Sequence, residues 1–567
     1  MSLLHVLAVL LLLWPVWTMH ALLVNYRRAR RLRLTIVISL IGLMSPLWAL
    51  SNRRLRPWLQ QLPWGLSDLF RYNYIGWGFD DKYNAHKKLG DLFVHVTPNE
   101  IEVYVADAGA ADAITSRRKD FPKPTVMYKP LEVFGPNVDT VEGREWQRHR
   151  KITTRPFNER NSNLVWVESL RQAQGALQWW TEQPGLGANT TAEDAKSMAL
   201  NVLTCAGFGK PYPFASRLQR TDENQLDRDM TYQDALSIVL ENLLFLFLIP
   251  HRLLSFSFLP ENLRTLGKAI QVFKNHMVKM LHRERGLMSK HDPGADNLVS
   301  ALIRASEEVQ QNKNVDEPHQ GLSDDEIFGN IFIYNLAGHE TTANTLAYSI
   351  LLLAAYPEYQ DWLAAEINKV LEGQGETETW KYEEAFPRLK RSMAVMYETL
   401  RLYCPVTAIP KCTTNTQQLS IHAKDYTFPS NTYIYINTSA LHTHPRYWGS
   451  DSLTWRPKRW ITPNPPSNPP TQSSLAAETI ADPIKGSFMP WSEGARVCPG
   501  RKFSQVEFIA VLAVLFRRHR VRPTLLEGES AEEARQRVLR TVEDSKVVML
   551  LQMMRPTSIS LVWTIKG

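Results

Sequence analysis

Cys498 stands in the run Trp491-Ser-Glu-Gly494-Ala-Arg496-Val-Cys498-Pro-Gly500. One thiol is presented on a turn bounded by two glycines, with an arginine two residues before it and an aromatic ring seven before it. A lone cysteine cannot build a structural zinc site, which takes four protein ligands. It can supply one strong axial bond to a haem iron. The glycines, Gly494 and Gly500, let the backbone approach a flat macrocycle and take positive φ. Arg496 can reach a haem propionate, and Trp491 can cover the face on the sulfur side. The bland reading is an inert core cysteine in a Gly/Pro loop. It gives no reason for the arginine or the second glycine.

Three further constellations precede the cysteine. Ala337-Gly338-His339-Glu340-Thr341-Thr342 lies in a helical pattern that starts near Ser323, where Ser323 and Glu326 form a capping box. Gly338 costs a helix stability relative to alanine and marks a place where something approaches the backbone. A hydroxyl in the next turn, Thr341, can hydrogen-bond dioxygen, and the adjacent carboxylate, Glu340, can pass protons through water. Alone, the stretch also reads as a polar kink in a buried helix. Glu398 and Arg401 are one helical turn apart and share a face. Trp146 and Arg150 are likewise one turn apart, in a basic stretch whose bland reading is an amphipathic surface helix.

The cysteine window resembles the haem-binding loop of the cytochrome P-450 family, with Trp491 where a phenylalanine is commoner. The 337–342 stretch resembles the oxygen-activation motif of the same family, and Trp146 with Arg150 matches its propionate-contacting pair. Trp455-Arg-Pro-Lys-Arg459-Trp460 resembles the segment whose arginine completes a buried Glu–Arg–Arg network with Glu398 and Arg401. The elements appear in family order between residues 146 and 500, and the look is that of microsomal members from filamentous fungi. The resemblance implies a mainly α fold with smaller β-sheets (α+β). It implies haem b with axial Cys498, held with help from Trp146, Arg150, Gly338, Trp491, Gly494, Arg496 and Gly500. It assigns oxygen and proton relay to Thr341 and Glu340. The implied reaction is reductive activation of dioxygen and insertion of one oxygen atom into a lipophilic small molecule by hydroxylation or epoxidation. Fungal secondary metabolism is the implied setting. The implied partners are an NADPH-dependent flavoprotein reductase, cytochrome b5, membrane lipid and the substrate. The alternatives are a haem isomerase or dehydratase needing no external electrons, and a non-catalytic haem-binding membrane scaffold. Substrate contacts are expected in the apolar stretches 121–134, 240–248, 332–336 and 406–409.

The 567 residues carry 65 basic and 57 acidic side chains, a net charge of +8. No basic tract with interleaved aromatics occurs in the body of the chain, which argues against nucleic-acid binding. Four cysteines in this length make no disulfide framework and indicate a reducing compartment, although Cys404 and Cys412 are close enough in sequence to pair. Residues 2–24 are apolar and free of charge, long enough for one bilayer crossing. Arg27, Arg28, Arg30, Arg31 and Arg33 follow, which places that end in the cytosol and the N-terminus in the lumen of the endoplasmic reticulum.

Residues 1–25 are therefore expected as a transmembrane anchor. Residues 26–65 are expected as a basic and apolar interfacial segment with a proline-containing linker, and 66–567 as the catalytic domain. The second apolar run, 34–50, is expected at the membrane interface. Two alternating stretches, Leu92-Phe-Val-His-Val and Glu102-Val-Tyr-Val, read as paired strands. Residues 237–260 read either as a membrane-dipping roof or as a buried helix pair, and 463–483 as a surface loop. Arg148, Lys151, Arg501 and Lys502 are candidates for a basic docking face. Asn189 and Asn437 open glycosylation sequons that a cytosolic domain would leave unmodified.

Overall fold

In the computed structural model one long helix, Asp324–Ala355, organises the molecule. The structure describes residues 3–42, 45–59, 61–63, 67–183, 187–215, 230–242, 245–246, 253–254, 256, 259–289, 297–311, 321–462 and 477–566. The long helix starts at the capping box read from the sequence. The Ser323 hydroxyl accepts the Glu326 amide, and the Glu326 carboxylate accepts the Ser323 amide, which satisfies two of the donors a helix start leaves open. From Ile327 to Ala355 every residue is buried except Ala337, Gly338, Glu340 and Thr341. A helix that is apolar around its whole circumference belongs in a core. The one break in its burial falls on the stretch singled out for chemistry.

Helices Thr191–Phe208, Lys390–Leu402 and Arg501–Arg517 pack on it, and Glu159–Thr181 packs against the first and last of these. Arg501–Arg517 begins just after Cys498 and is buried along most of its length, from Phe503 to Phe516. The cysteine loop is thus rooted in a rigid core element.

A five-stranded sheet stands beside the helices, in the order Thr35–Ile38, Leu92–Val96, Ile101–Val105, Thr432–Asn437, Ala408–Cys412. The two strands expected to pair form an antiparallel hairpin with Val94 opposite Val103. Both are buried on both faces. Ile101–Val105 runs parallel to Thr432–Asn437, and Lys411 lies opposite Ile434 at the antiparallel edge.

Residues 34–50 differ from expectation. Thr35–Ile38 is a strand paired in parallel with Leu92–Val96, Thr35 opposite Phe93, so the first part of this stretch is sheet edge, and residues 46–50 open the helix Pro46–Leu59. The Ser39 amide donates to the Val96 carbonyl at 2.9 Å, and the Ser39 hydroxyl meets Nε2 of buried His95 at 2.7 Å. Hydropathy alone could not show this, because the strand's hydrogen-bonding partners lie some sixty residues away in the chain. The end of the expected anchor and the basic stretch after it are also tied down. The Asn25 amide donates to the Thr97 and Pro98 carbonyls, Arg28 donates to the Ser430 carbonyl at 2.7 Å, and Ala29 and Leu32 are buried.

The N-terminal apolar run lies in a helix, Leu3–Ala29. Among the described residues no helix is long and apolar enough to cross a membrane. All four cysteines are free, including Cys404 and Cys412. Asn437 is buried and caps the following helix, its side chain accepting the Ala440 amide, so this sequon is closed by packing whatever the compartment. Most of 243–258, and residues 463–476 of the expected surface loop, lie outside the described residues.

Candidate active site

The cysteine loop is shaped by its own backbone. The Cys498 amide donates to the Trp491 carbonyl at 2.8 Å, and the Ser492 amide to the Met489 carbonyl at 3.0 Å. Gly494 has φ +69°, and a Cβ there would lie 2.4 Å from the Thr115 carbonyl oxygen, so only glycine fits. The second positive φ in the window belongs to Ser492, at 62°. Gly500, expected to share that role, has φ −80°, and a Cβ on it would make ordinary contacts with Cys498 Sγ and Phe157 at 3.8 Å. The protein around Gly500 therefore does not by itself require glycine.

The Cys498 side chain is open to solvent, yet burial is the largest influence on its acidity. This combination fits a sulfur at the bottom of a deep hollow. Burial pushes the thiol up, while the Gly500 amide and the Arg150 guanidinium pull it down. A coordinated metal cation ionises such a thiol outright. Arg150 lies between Cys498 and Tyr334 of the long helix, both of which act on its charge, and it donates to the Val497 carbonyl at 2.7 Å. Trp146, one turn earlier on helix Gly143–Thr153, is buried between two guanidiniums, Arg118 at 4.4 Å and Arg496 at 4.8 Å from its ring. Trp491 is half-buried against Tyr397 and donates to the Ser504 hydroxyl at 3.1 Å.

Arg496 donates to the Val141 carbonyl at 2.7 Å and to Glu142 at 2.6 Å. Its Nε is buried and has no partner. Around it gather Arg118 and Lys123, paired with Glu142 and Asp139, and Lys411, a residue not singled out from the sequence. Lys411 is 2% exposed, and burial, then Arg496, pull its ammonium down to about 8. Four cations thus face two carboxylates, Asp139 and Glu142, which leaves two positive charges in a desolvated place. Haem b carries two propionates, so the surplus and the orphaned Arg496 Nε fit that group. The signal for Lys411 was present. It shares the inward face of strand Ala408–Cys412 with Ile409, and a charge on a core-facing position needs a counter-charge.

Lys411→Met gives a two-sided prediction. The folded pKa near 8 lies below the unfolded value, so protonated Lys411 costs the haem-free protein stability at pH 7. That cost shrinks as pH rises from 8 toward 10 and is absent above the unfolded pKa. The haem-free variant should be more stable than wild type at pH 7 by up to about 3 kcal/mol, with the difference closing by pH 10 in urea melts. The haem-loaded variant should release haem faster.

In the long helix, Thr341 donates its hydroxyl to the Ala337 carbonyl at 3.0 Å. Its proton is thereby committed and its lone pairs are free to accept. Glu340 is half-buried beside buried His339, whose Nδ1 meets the Asn335 carbonyl at 2.8 Å. Gly338 is crowded on its protein side by Leu203 of helix Thr191–Phe208, whose Cδ2 would lie 3.1 Å from an added Cβ, so its smallness also serves helix packing. The open turn at 337–341 and the open sulfur are the two surfaces that a flat cofactor would cover. Thr341→Ala should lower coupled product formation roughly a hundredfold and raise hydrogen peroxide released per NADPH consumed, with haem content unchanged.

Of the candidates for a basic docking face, Lys151, Arg501 and Lys502 are exposed, Lys502 while paired with Glu159, and Arg148 is engaged by Glu326 and the Gly321 carbonyl. The buried network around Glu398 is complete. Arg401 makes two bonds to its carboxylate at 2.9 Å, and Arg459 Nε adds a third at 2.9 Å.

The family model for cytochrome P450 matches residues 77–548. The chain belongs to the cytochrome P450 family. A cytochrome P450 monooxygenase of Arthrobotrys oligospora is 29% identical over 97% of this chain and 96% of its own length. One from Penicillium roqueforti is 32% identical over 82% of each. Among solved structures, the haem domain of cytochrome P450DA superposes with a TM-score of 0.63 at 18% identity, covering 86% of this chain and 93% of that one. This P450 is a monooxygenase whose cofactor is haem b with a cysteine thiolate as axial ligand. When bound, the haem supplies oxygen activation, and the electron-rich thiolate favours O–O cleavage. The chain's own part would be to hold the thiolate through the cysteine loop, to set Arg496 and Lys411 toward the propionates and to present Thr341 and Glu340.

Proposed function

We propose that this P450 hydroxylates or epoxidises a lipophilic small molecule in fungal secondary metabolism. The open turn of the long helix carries the reading. Ala337, Gly338, Glu340 and Thr341 are accessible, while Phe332, Leu336 and Leu346 on the same helix are buried and apolar. The accessible turn offers a substrate only the Glu340 and Thr341 side chains as polar partners, beside Ala337 and Gly338, which favours a mostly apolar molecule. The setting is supported by a 28% identical protein of Leptosphaeria maculans, covering 89% of this chain and 90% of its own length. That relative is named a phomenoic acid biosynthesis cluster cytochrome P450 monooxygenase.

An NADPH-dependent flavoprotein reductase supplies electrons in this reading, with cytochrome b5 as a second donor. The protein sits on the endoplasmic reticulum with its N-terminus luminal and its catalytic domain cytosolic. The support is the uncharged apolar run at 2–24 followed by five arginines. The test is turnover of candidate lipophiles with NADPH, reductase and isotopically labelled dioxygen. One labelled oxygen atom in the product is the expected result. Product formed without NADPH, or carrying no label, would overturn it.

A further inference from the structure

A buried histidine links the two halves of the cofactor's protein support. His442 lies on the short helix Thr438–Thr443 and is fully buried. Its Nε2 accepts the backbone amide of Met489 at 2.9 Å, a bond with both ends buried. Its carbonyl accepts Nη1 of Arg401 at 2.8 Å. Its Nδ1 faces the Leu400 and Arg401 carbonyls at the end of helix Lys390–Leu402 without closing a well-aligned bond. Carbonyls at a helix end lack partners within the helix, so this donor is placed where it is needed.

Met489 is itself 1% exposed and opens the cysteine loop. Its carbonyl receives the Ser492 amide, and the Trp491 carbonyl receives the Cys498 amide. Holding the Met489 amide therefore holds the turn on which the sulfur stands. We propose that His442 is a positioning residue for the axial thiolate, tying the cysteine loop to the buried Glu398–Arg401 pair through the Met489 amide.

The chemistry explains why the residue is histidine. The site needs an acceptor toward Met489 and a donor toward the helix end, on one rigid ring. Neutral imidazole supplies both at once. A protonated ring would turn Nε2 into a donor against the Met489 N–H. Burial and the neighbouring Arg401 charge pull the imidazole down to about 3, so the ring stays neutral at physiological pH. The Phe488 ring, 5.2 Å from the imidazole, fixes its plane.

The test compares His442→Leu with His442→Gln in the full-length haem-loaded protein. Leucine fills the space without an acceptor, while glutamine places an oxygen where Nε2 stood. The readout is the reduced carbon monoxide complex, followed as its long-wavelength, thiolate-type Soret band converts to the short-wavelength form. Thermal melts are recorded on the same preparations. In the leucine variant the conversion should be faster than wild type by about tenfold or more, the effect of one unsatisfied buried amide, with glutamine within about threefold of wild type.

Equal conversion rates in leucine, glutamine and wild type would overturn the proposal. So would equal acceleration in both variants, which would mark a packing role only. If the leucine variant takes up no haem, amide hydrogen exchange on the wild-type protein decides. Exchange of the Met489 amide as slow as that of the Lys390–Leu402 helix supports the tie, and exchange as fast as an exposed loop overturns it.

Discussion

Cys498→Ser should abolish the long-wavelength Soret band of the reduced carbon monoxide complex and, with it, monooxygenase turnover. The argument rests on how little else in the loop changes. The amide bond from Cys498 to the Trp491 carbonyl, the left-handed backbone at Gly494 and Ser492, and the buried Arg501–Arg517 helix depend on backbone and neighbours rather than on the sulfur. Serine should therefore leave the loop folded while removing the only atom that can donate thiolate charge to the iron. A hydroxyl is a far weaker acid than a thiol, and the hollow around residue 498 pushes even the thiol up, so the replacement enters as a neutral group. The surplus positive charge near Arg496 and Lys411 is untouched, so the variant should still take up haem. Its carbon monoxide complex should show only a short-wavelength band. A retained long-wavelength band in a haem-loaded variant would refute the ligand assignment.

The largest loss of stability is expected from Arg401→Ala. Arg401 is 1% exposed and makes two bonds to Glu398 and three to the carbonyls of His442, Ser452 and Thr454. The carboxylate it serves is fully buried. That carboxylate also receives Arg459 Nε at 2.9 Å, Trp460 Nε1 at 2.9 Å and the Arg456 amide at 2.8 Å. Removing one partner of a buried ion pair leaves charge and carbonyls without compensation, a loss of about 3–5 kcal/mol. Arg446→Ala is the control. Arg446 makes an equally well-formed double contact with Asp91, at 2.9 Å each, but it is 44% exposed. Its loss should cost less than about 1 kcal/mol. Urea melts of both variants against wild type test the contrast, and equal losses would mean that burial is not what gives the Glu398 network its weight. Acid should act on the same network. Burial pushes the Glu398 carboxyl up, but Arg401 and Arg459 outweigh it and hold it below the usual range. Its contribution is therefore present above the ordinary carboxylate pKa and fades as pH falls through the depressed one.

The sequence by itself determined the chemistry, because the groups that carry it are local. Cys498, Arg496 and Gly494 fall within five residues, Glu340 and Thr341 are adjacent, and Glu398 and Arg401 are one turn apart. The start of the long helix was legible for the same reason, since a capping box spans four residues. The hairpin Leu92–Val96 with Ile101–Val105 was legible because its partners are close in the chain.

The tertiary structure decided everything that depends on partners distant in sequence. Residues 35–38 have the hydropathy of an interfacial segment, and only pairing with Leu92–Val96 makes them sheet. Gly338 carried a signal of close approach without its object, and one neighbour that needs the room is Leu203, 135 residues earlier. Lys411 shares the core face of its strand with Ile409, but the counter-charge problem it poses takes shape only as Arg118, Lys123 and Arg496 converge on it from other elements. His442 reached Met489 across 47 residues with no local pattern to mark it. Hydrogen bonds and charges act through space, whereas patterning along the chain reports only what lies within a turn or two of helix or one hairpin. The candidate ligand and relay residues could therefore be picked out in one dimension, but the shell around them needed three.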